Sequence, residues 1–444
     1  MKNREDFVIR DIDGISLLIP LGSRVPAVSG FVLLNETGRF VWELMAKGQC
    51  ENDIAFGLAE NFDVSLVRAR EDVKAFMGEF MSSGAARPEP ENNRNFDSFA
   101  SELHQRASLC RRPINGTFEL TNRCNLACRM CFVRHPACNE SQRAQELPAS
   151  AWVTLAHEAV DNGMVFLLLT GGEIFLRPDF FEIYEPLTRL GLIISLYTNG
   201  TLITSDIANR LAAAPPHSTE ITLYGATSAT YELITGVSGS YSRCCAGIEE
   251  LLSHRVPIGI KTTITRQNVH ELEAIRQMAR NWGVPFEAGW LLSKRRDGTS
   301  SDVENCRISA VECATLEASG RASVVQMQES VLREPLGSKY GNFYCLAGKA
   351  AFVITPTGDM NACMDLALPS VRPLETSFDT SWEQLQHFVD SAPPTSQVCL
   401  SCNARDHCPR CPAWSWLETS TLTEPVSYLC DLANARKEYS RKRL

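Results

Sequence analysis

Between residues 114 and about 300, short apolar runs alternate with amphipathic helical patterns, and this alternation constrains the fold more than any other feature of the chain. The runs are GTFEL, VFLLLT, LIISLYT, STEITLYG and IGIKTTIT. Apolar residues at helical spacing lie between and after them, over 151–162, 205–214, 241–254 and 269–282. A strand, a helix and a further strand in succession give parallel pairing, because the crossover between parallel strands needs a long connection and the helix supplies it. Strands covered on both faces read as nearly continuous apolar runs, as these do. The stretch is therefore α/β with a mainly parallel sheet.

The first strand runs into Thr121-Asn-Arg-Cys124-Asn-Leu-Ala-Cys128-Arg-Met-Cys131. Three thiolates on one tight loop can hold three irons of a four-iron cluster and leave the fourth open to a small chelating molecule. The alternatives are a zinc site with a distant fourth ligand, although structural zinc sites normally close with four nearby ligands, or three free thiols. Further along, Cys345 is followed by Gly358-x4-Cys363, then Cys399-x2-Cys402-x5-Cys408-x2-Cys411, then Cys430. These seven thiols are one short of two fully thiolate-ligated clusters, and a double zinc site is the structural alternative. From about residue 340 short strands and turns dominate, as expected where metal rather than apolar core holds the chain.

The chain has seventeen cysteines, an odd number, and its start, MKNREDFVIRDIDG, lacks the apolar core of a signal peptide. Both points weigh against a secreted disulfide scaffold and favour a cytoplasmic protein. The longest apolar runs, such as MVFLLL, are too short to cross a bilayer. A formal charge of −9 argues against a nucleic-acid-coating protein.

Residues 1–90 read as a separate domain. FVIRDID, ISLLIPL and GFVLL are short strands, and helical patterns follow at Phe40, Val41, Leu44 and Met45, at 51–61 and at 64–81. Three strands and three helices suit a winged-helix-like unit. A DNA-binding role is disfavoured, since Arg68, Arg70 and Lys74 on the third helix are balanced by Glu71, Asp72 and Glu79. The polar stretch 82–97, with two prolines and a glycine, reads as a linker. The resulting division is 1–90, a linker over 91–113, a core over 114–300, a bridging region over 301–339 and a cysteine-rich domain over 340–444.

The cysteine run is followed at successive strand ends by Gly171-Gly172-Glu173, Thr198-Asn199-Gly200, Thr222-Leu-Tyr-Gly225 and Lys261-Thr-Thr-Ile264. In this the core resembles the radical S-adenosylmethionine (SAM) superfamily. The resemblance implies a partial (β/α)6 barrel and a [4Fe–4S] cluster on Cys124, Cys128 and Cys131, with SAM chelating the open iron. It further implies reductive cleavage of SAM to methionine and a 5′-deoxyadenosyl radical that abstracts a substrate hydrogen. Gly171, Gly172, Glu173, Asn199, Thr222 and Lys261 are carried over to SAM binding. Glycine suits close ligand approach, and Glu173 suits the SAM amine; the alternative is a simple turn before a helix. Met130 stands where the family usually has an aromatic residue. Tyr224-Gly225 and Thr235-Gly236 stand where relatives often carry Asp-Gly and Arg-Gly, with Arg243 near the second.

The C-terminal cysteines resemble a SPASM domain, which implies two auxiliary iron–sulfur clusters. Cys345, Cys363 and Cys411 would hold the inner one, and Cys399, Cys402, Cys408 and Cys430 the outer. The inner cluster would be three-coordinate, or be completed by Asp365, a backbone group or a substrate thiol, with Cys306 and Cys313 as outside candidates. Residues 1–90 are similar to PqqD-like peptide-recognition domains, in which a leader peptide adds as a strand to the sheet edge, here GFVLL. Together these resemblances imply a radical SAM oxidoreductase that modifies a leader-bearing, ribosomally synthesised precursor peptide. The implied product is a thioether, with C–C or C–O crosslinking or epimerisation as alternatives. An external electron donor such as flavodoxin or ferredoxin is implied, and neither a nucleic acid nor a membrane. Anaerobic sulfatase-type maturation and a non-enzymatic Fe–S or zinc scaffold are the other readings. No side chain is singled out as a catalytic acid or base.

Overall fold

The computed structural model describes residues 7–12, 14–22, 25, 30–82, 90–299, 301–320 and 343–443. Strands β1 (Phe7–Ile12), β2 (Ile15–Pro20) and β3 (Val32–Leu34) form an antiparallel sheet in that order. Helices α1 (Glu36–Ala46), α2 (Glu51–Phe62) and α3 (Leu66–Ser82) cover one face. Asn35 caps α1 by accepting from the Gly38 amide at 2.7 Å, which satisfies one of the donors a helix start leaves free. Leu18 points to the helices. Its neighbours Leu17 and Ile19 point the other way, and all three are at most 1% exposed. β2 is thus buried on both faces, which explains its unbroken apolar run.

What covers the second face was not legible in the sequence. Residues 91–113 read as a linker, yet α4 (Pro90–Cys110) is a 21-residue helix. Leu103 and Ala107 of α4 pack with Ile12, Leu17, Ile19 and Phe31 against Ile114, Val165 and Ile193. The polar first half of α4 conceals the helix from a reading based on apolar periodicity, and the 83–89 part of the polar stretch lies outside the described residues.

The core is an eight-stranded sheet, β11-β10-β9-β8-β7-β4-β12-β13. β4 (Asn115–Glu119), β7 (Phe166–Thr170), β8 (Ile193–Thr198), β9 (Ser218–Thr222), β10 (Ile258–Thr263) and β11 (Phe286–Gly289) are parallel neighbours. These are the six strands of a radical SAM-type barrel. β11 escaped the sequence reading because it is only four residues long and half-exposed. The connections carry α5 (Glu140–Arg143), α6 (Ala149–Asp161), α7 (Phe180–Leu187), α8 (Ser205–Ala213), α9 (Ser228–Thr235), α10 (Ser240–Ser253) and α11 (Leu272–Trp282). Trp152, Phe180, Tyr184 and Tyr231 of this layer are at most 2% exposed and pack on Phe118, Leu167, Leu169, Leu196 and Ile221. Burying each such aromatic side chain contributes roughly 2–3 kcal/mol.

The sheet does not stop at the barrel. β12 (Ala351–Ile354) pairs in parallel with β4, and β13 (Met360–Asn361) pairs antiparallel with β12. A boundary near residue 300 therefore divides the chain in sequence but not in space. The 321–339 part of the bridging region lies outside the described residues. Among the described residues no helix is long and apolar enough to cross a membrane.

Candidate active site at the carboxyl ends of the barrel strands

The chain leaves β4 and enters the cysteine loop, whose ends are tied by a short parallel ladder of β5 (Arg123–Cys124) and β6 (His135–Pro136). Buried charges hold the loop. Arg123 pairs with Glu146 at 2.9 Å, and Arg177 reaches Glu146 at 3.8 Å and Asp179 at 2.7 Å. Ala127 N–H donates to Thr235 O at 2.7 Å, so the loop also rests on the end of α9.

The sulfurs meet donors. Cys124 Sγ accepts from the Leu126 amide at 3.4 Å and from Asn199 Nδ2 at 3.6 Å. The Tyr224 hydroxyl favours the Cys128 thiolate. Burial pushes the Cys124 thiol up to about 12 and the Cys128 thiol up as well, and the charges of the neighbouring cysteines add to both. Half-buried sulfurs on one loop, with Cys124 receiving two N–H donors, fit a cationic cluster that takes three thiolates. Among the described residues, no group of three or more His, Cys, Asp or Glu side chains converges to metal-ligating spacing.

Gly171 and Gly172 follow β7. A Cβ at Gly171 would lie 2.2 Å from Thr121 O, and one at Gly172 would lie 2.1 Å from Arg123 O. Gly171 also has φ +146°. The close approach that demands glycine is thus made by the backbone leading into Cys124, and the Gly172 and Glu173 amides donate to Thr121 O and Arg123 O at 2.6 and 2.9 Å. Gly172→Ala is expected to displace the cysteine loop and destabilise the fold by ~1–3 kcal/mol, as overpacking does. Thermal melting and iron content after anaerobic reconstitution measure both effects; parent values in each would contradict the role given to this contact.

Glu173 is fully buried. Its carboxylate accepts from Thr198 Oγ1 at 2.7 Å, the Asn199 amide at 2.8 Å and the Phe175 amide at 3.2 Å. It pins the β8 end to the β7 end. Asn199 carries the order one step further. Its Oδ1 accepts from the Thr201 amide and hydroxyl, while Nδ2 donates to Asn125 Oδ1 at 2.9 Å and towards Cys124. Thr222 and Lys261 are register partners on β9 and β10. Among the described residues the Thr222 hydroxyl has no hydrogen-bond partner, whereas Lys261 Nζ donates to Tyr197 Oη at 2.6 Å and pairs with Glu287 at 2.9 Å. Burial disfavours the Lys261 charge, but Tyr197 and Glu287 outweigh it and raise the ammonium above its ordinary value.

Met130 packs with Ile234, Leu292, Val303 and Cys306. Cys244 is buried on α10. Cys313 is buried, with its sulfur 3.2 Å from Tyr428 Oη.

The seven C-terminal cysteines fall into two electrostatic groups. Burial, then Asp365, Cys411 and Cys345, raise the Cys363 thiol; burial, then Cys345, raise that of Cys411 up to about 12. Burial, then Cys430 and Cys399, raise Cys408 up to about 11, and burial with Cys399 and Cys402 raise Cys430. Asp365 sits with the first group, its two oxygens accepting from Ser293 Oγ at 3.0 Å and Trp414 Nε1 at 3.3 Å.

One residue connects the cysteine loop to that first group, and the sequence reading passed over it. Arg296 donates from its amide to Phe132 O at 3.0 Å, next to Cys131, and from its guanidinium to Met364 O at 2.9 Å, next to Cys363. The same guanidinium pairs at 2.9 Å with Glu119 at the end of β4, a carboxylate 2% exposed in its side chain. The available signal was the run Lys294-Arg295-Arg296 in an acidic chain, but nothing in the sequence tells a buried arginine from a solvated one.

Comparison with known proteins gives two family matches. Residues 118–279 match the radical SAM superfamily, and residues 17–85 match coenzyme PQQ synthesis protein D (PqqD). The AdoMet-dependent heme synthase of Methanosarcina barkeri is 27% identical over 332 residues, covering 70% of this chain and 94% of that protein. The mycofactocin maturase MftC of Mycobacterium tuberculosis is 28% identical over 307 residues, covering 67% and 77%. Among solved structures, Streptococcus suis SuiB bound to S-adenosylmethionine superposes with a TM-score of 0.60 at 16% identity, over 96% of this chain and 99% of that one. A crystal structure of SuiB bound to precursor peptide SuiA superposes with a TM-score of 0.58.

Proposed function

We propose that this chain, a radical SAM enzyme with an N-terminal PqqD-like domain, modifies a ribosomally made precursor peptide and closes a thioether from a peptide cysteine. The observation that carries the reading is the union of a PqqD-like sheet and a SAM-type cysteine loop on one chain. SuiB, which has this fold, is known with its precursor peptide bound. A small-molecule substrate, as the heme synthase has by its name, would leave the 17–85 domain without a task.

Cys124, Cys128 and Cys131 would hold a [4Fe–4S] cluster. When bound, cluster and SAM supply a 5′-deoxyadenosyl radical that takes a hydrogen atom from the peptide. Gly171, Gly172, Glu173 and Asn199 fix the loop beside the SAM site. Thr222 keeps its hydroxyl free for the ribose, and Lys261 closes the site from β10. Cys345, Cys363 and Cys411 form the inner auxiliary site, and Cys399, Cys402, Cys408 and Cys430 the outer. Three thiolates in the inner site leave a place that suits a peptide thiol, which favours the thioether among the products considered. Flavodoxin or ferredoxin serves as electron donor. PqqD-type recognition is β-augmentation at the free edge of β3.

Anaerobic reaction of the reconstituted chain with the peptide encoded beside its gene, SAM and reductant tests the reading. Fragmentation mass spectrometry should find a loss of two hydrogens and a link through a cysteine. An unmodified peptide despite 5′-deoxyadenosine formation would overturn the substrate; solvent deuterium uptake without mass loss of hydrogen would overturn the thioether in favour of epimerisation.

A further inference from the structure

We infer that the precursor carries a spacer, with a floor of about six extended residues and full reaction at about twelve, between the segment that pairs with β3 and the residue that is modified. The inference rests on the reading of β3 as the leader edge. It comes from where the small domain docks, which nothing in the family matches specifies.

The second face of the β1–β3 sheet lies on the amino ends of the barrel strands. Leu17, Ile19 and Phe31 pack with Ile114, the residue before β4, with Val165, the residue before β7, and with Ile193, the first residue of β8. The Phe31 and Phe166 rings are 6.3 Å apart, and Arg10 donates to Leu190 O at 3.0 Å, just before β8. The remaining gap is a cleft lined by Pro20, Gly30, Leu192 and Pro216. The cysteine loop is at the other end of the same strands: Asn199, which donates to Cys124, immediately follows β8.

β8 therefore serves as a ruler. From Ile193 at the docked end to Asn199 at the loop is six steps of extended chain, roughly 20 Å at ~3.3 Å per residue. A peptide cannot follow that line, because Ile194 and Leu196 are packed into the barrel wall. It must pass around the helix layer, about 10 Å thick, or through the gap between the sheet edges β11 and β13. An extended chain covers at most ~3.6 Å per residue, so the straight distance alone needs about six residues. A path over the helices and back, about 40 Å, needs about twelve.

The test is a ladder of precursors, made from the peptide encoded beside this gene, with Gly-Ser spacers from about two to about sixteen residues bracketing both limits. Fluorescence anisotropy of the labelled peptides on the full chain reads leader affinity, and mass spectrometry under anaerobic turnover reads modification. Affinity should stay within about twofold along the ladder, while modification should fall at least about tenfold below six residues and level off near twelve. Supplying leader and core as separate peptides should remove the length dependence, since the tether then no longer limits reach. Short-spacer peptides that bind and are modified as fast as the longest would overturn the inference. Peptides whose affinity is unchanged when the leader is deleted would instead overturn the reading of β3.

Discussion

Replacing Cys124, Cys128 and Cys131 together by alanine is expected to abolish 5′-deoxyadenosine formation while leaving iron on the C-terminal cysteines. The three sulfurs lie on one loop whose ends are tied by β5 and β6, and the seven others lie in two groups beyond residue 340. Loss of the first set therefore leaves the second untouched. Chromatography of the nucleoside product and iron analysis of the reconstituted variant check both halves. Persistent cleavage of SAM would refute the assignment of the loop. Iron falling to zero would show that the C-terminal groups depend on the first site or hold no iron of their own.

Arg296→Met is expected to cost ~3–5 kcal/mol of stability, because it strands Glu119 as a buried, unpaired carboxylate. Burial raises the Glu119 carboxyl, and Arg296 opposes that rise. Without the arginine the rise goes unopposed. A carboxyl whose folded pKa is raised is best tolerated when protonated, and it loses stability as pH climbs through its folded pKa. The deficit of the variant against the parent should therefore be smaller at about pH 5 than at about pH 8, bracketing a raised carboxyl. Pairing the change with Glu119→Gln should recover most of the loss, since removing both charges is far cheaper than removing one. Urea unfolding of the parent and both variants at the two pH values measures this. A single variant as stable as the parent would show that the ion pair carries no such weight.

The parallel core was legible because strands buried on both faces announce themselves as apolar runs. The same rule explains β2, whose run Ile15–Pro20 is buried on both sides. The cysteine runs stood out because potential metal ligands come at short, fixed spacings. What stayed hidden depends on the third dimension. α4 looks like a linker because its first half is polar in sequence, while Leu103 and Ala107 of its second half meet apolar partners. Gly171 and Gly172 suggested room for a ligand, whereas the neighbour that needs the room is the backbone of Thr121 and Arg123. Arg296 stood in a visible basic run, but its burial was hidden, since burial of a charge is decided by what folds over it.

The pairing of β12 with β4 bears on how such enzymes can be recombined. Ala351↔Asn115 through Ile354↔Phe118 stitch the C-terminal region onto the strand that leads into the cysteine loop. At Gly116 a Cβ would come within 2.9 Å of the Phe352 ring, so the two strands are fitted to each other side chain by side chain. A chimera that grafts a foreign C-terminal region onto this barrel would bring a mismatched strand against β4 and leave Phe352's place underfilled or crowded. One that cuts the region away would bare the β4 edge to intermolecular pairing. Barrel and tail are therefore to be exchanged together, and the small domain, whose Leu17, Ile19 and Phe31 pack on the other ends of the same strands, carries a fitted seam of its own.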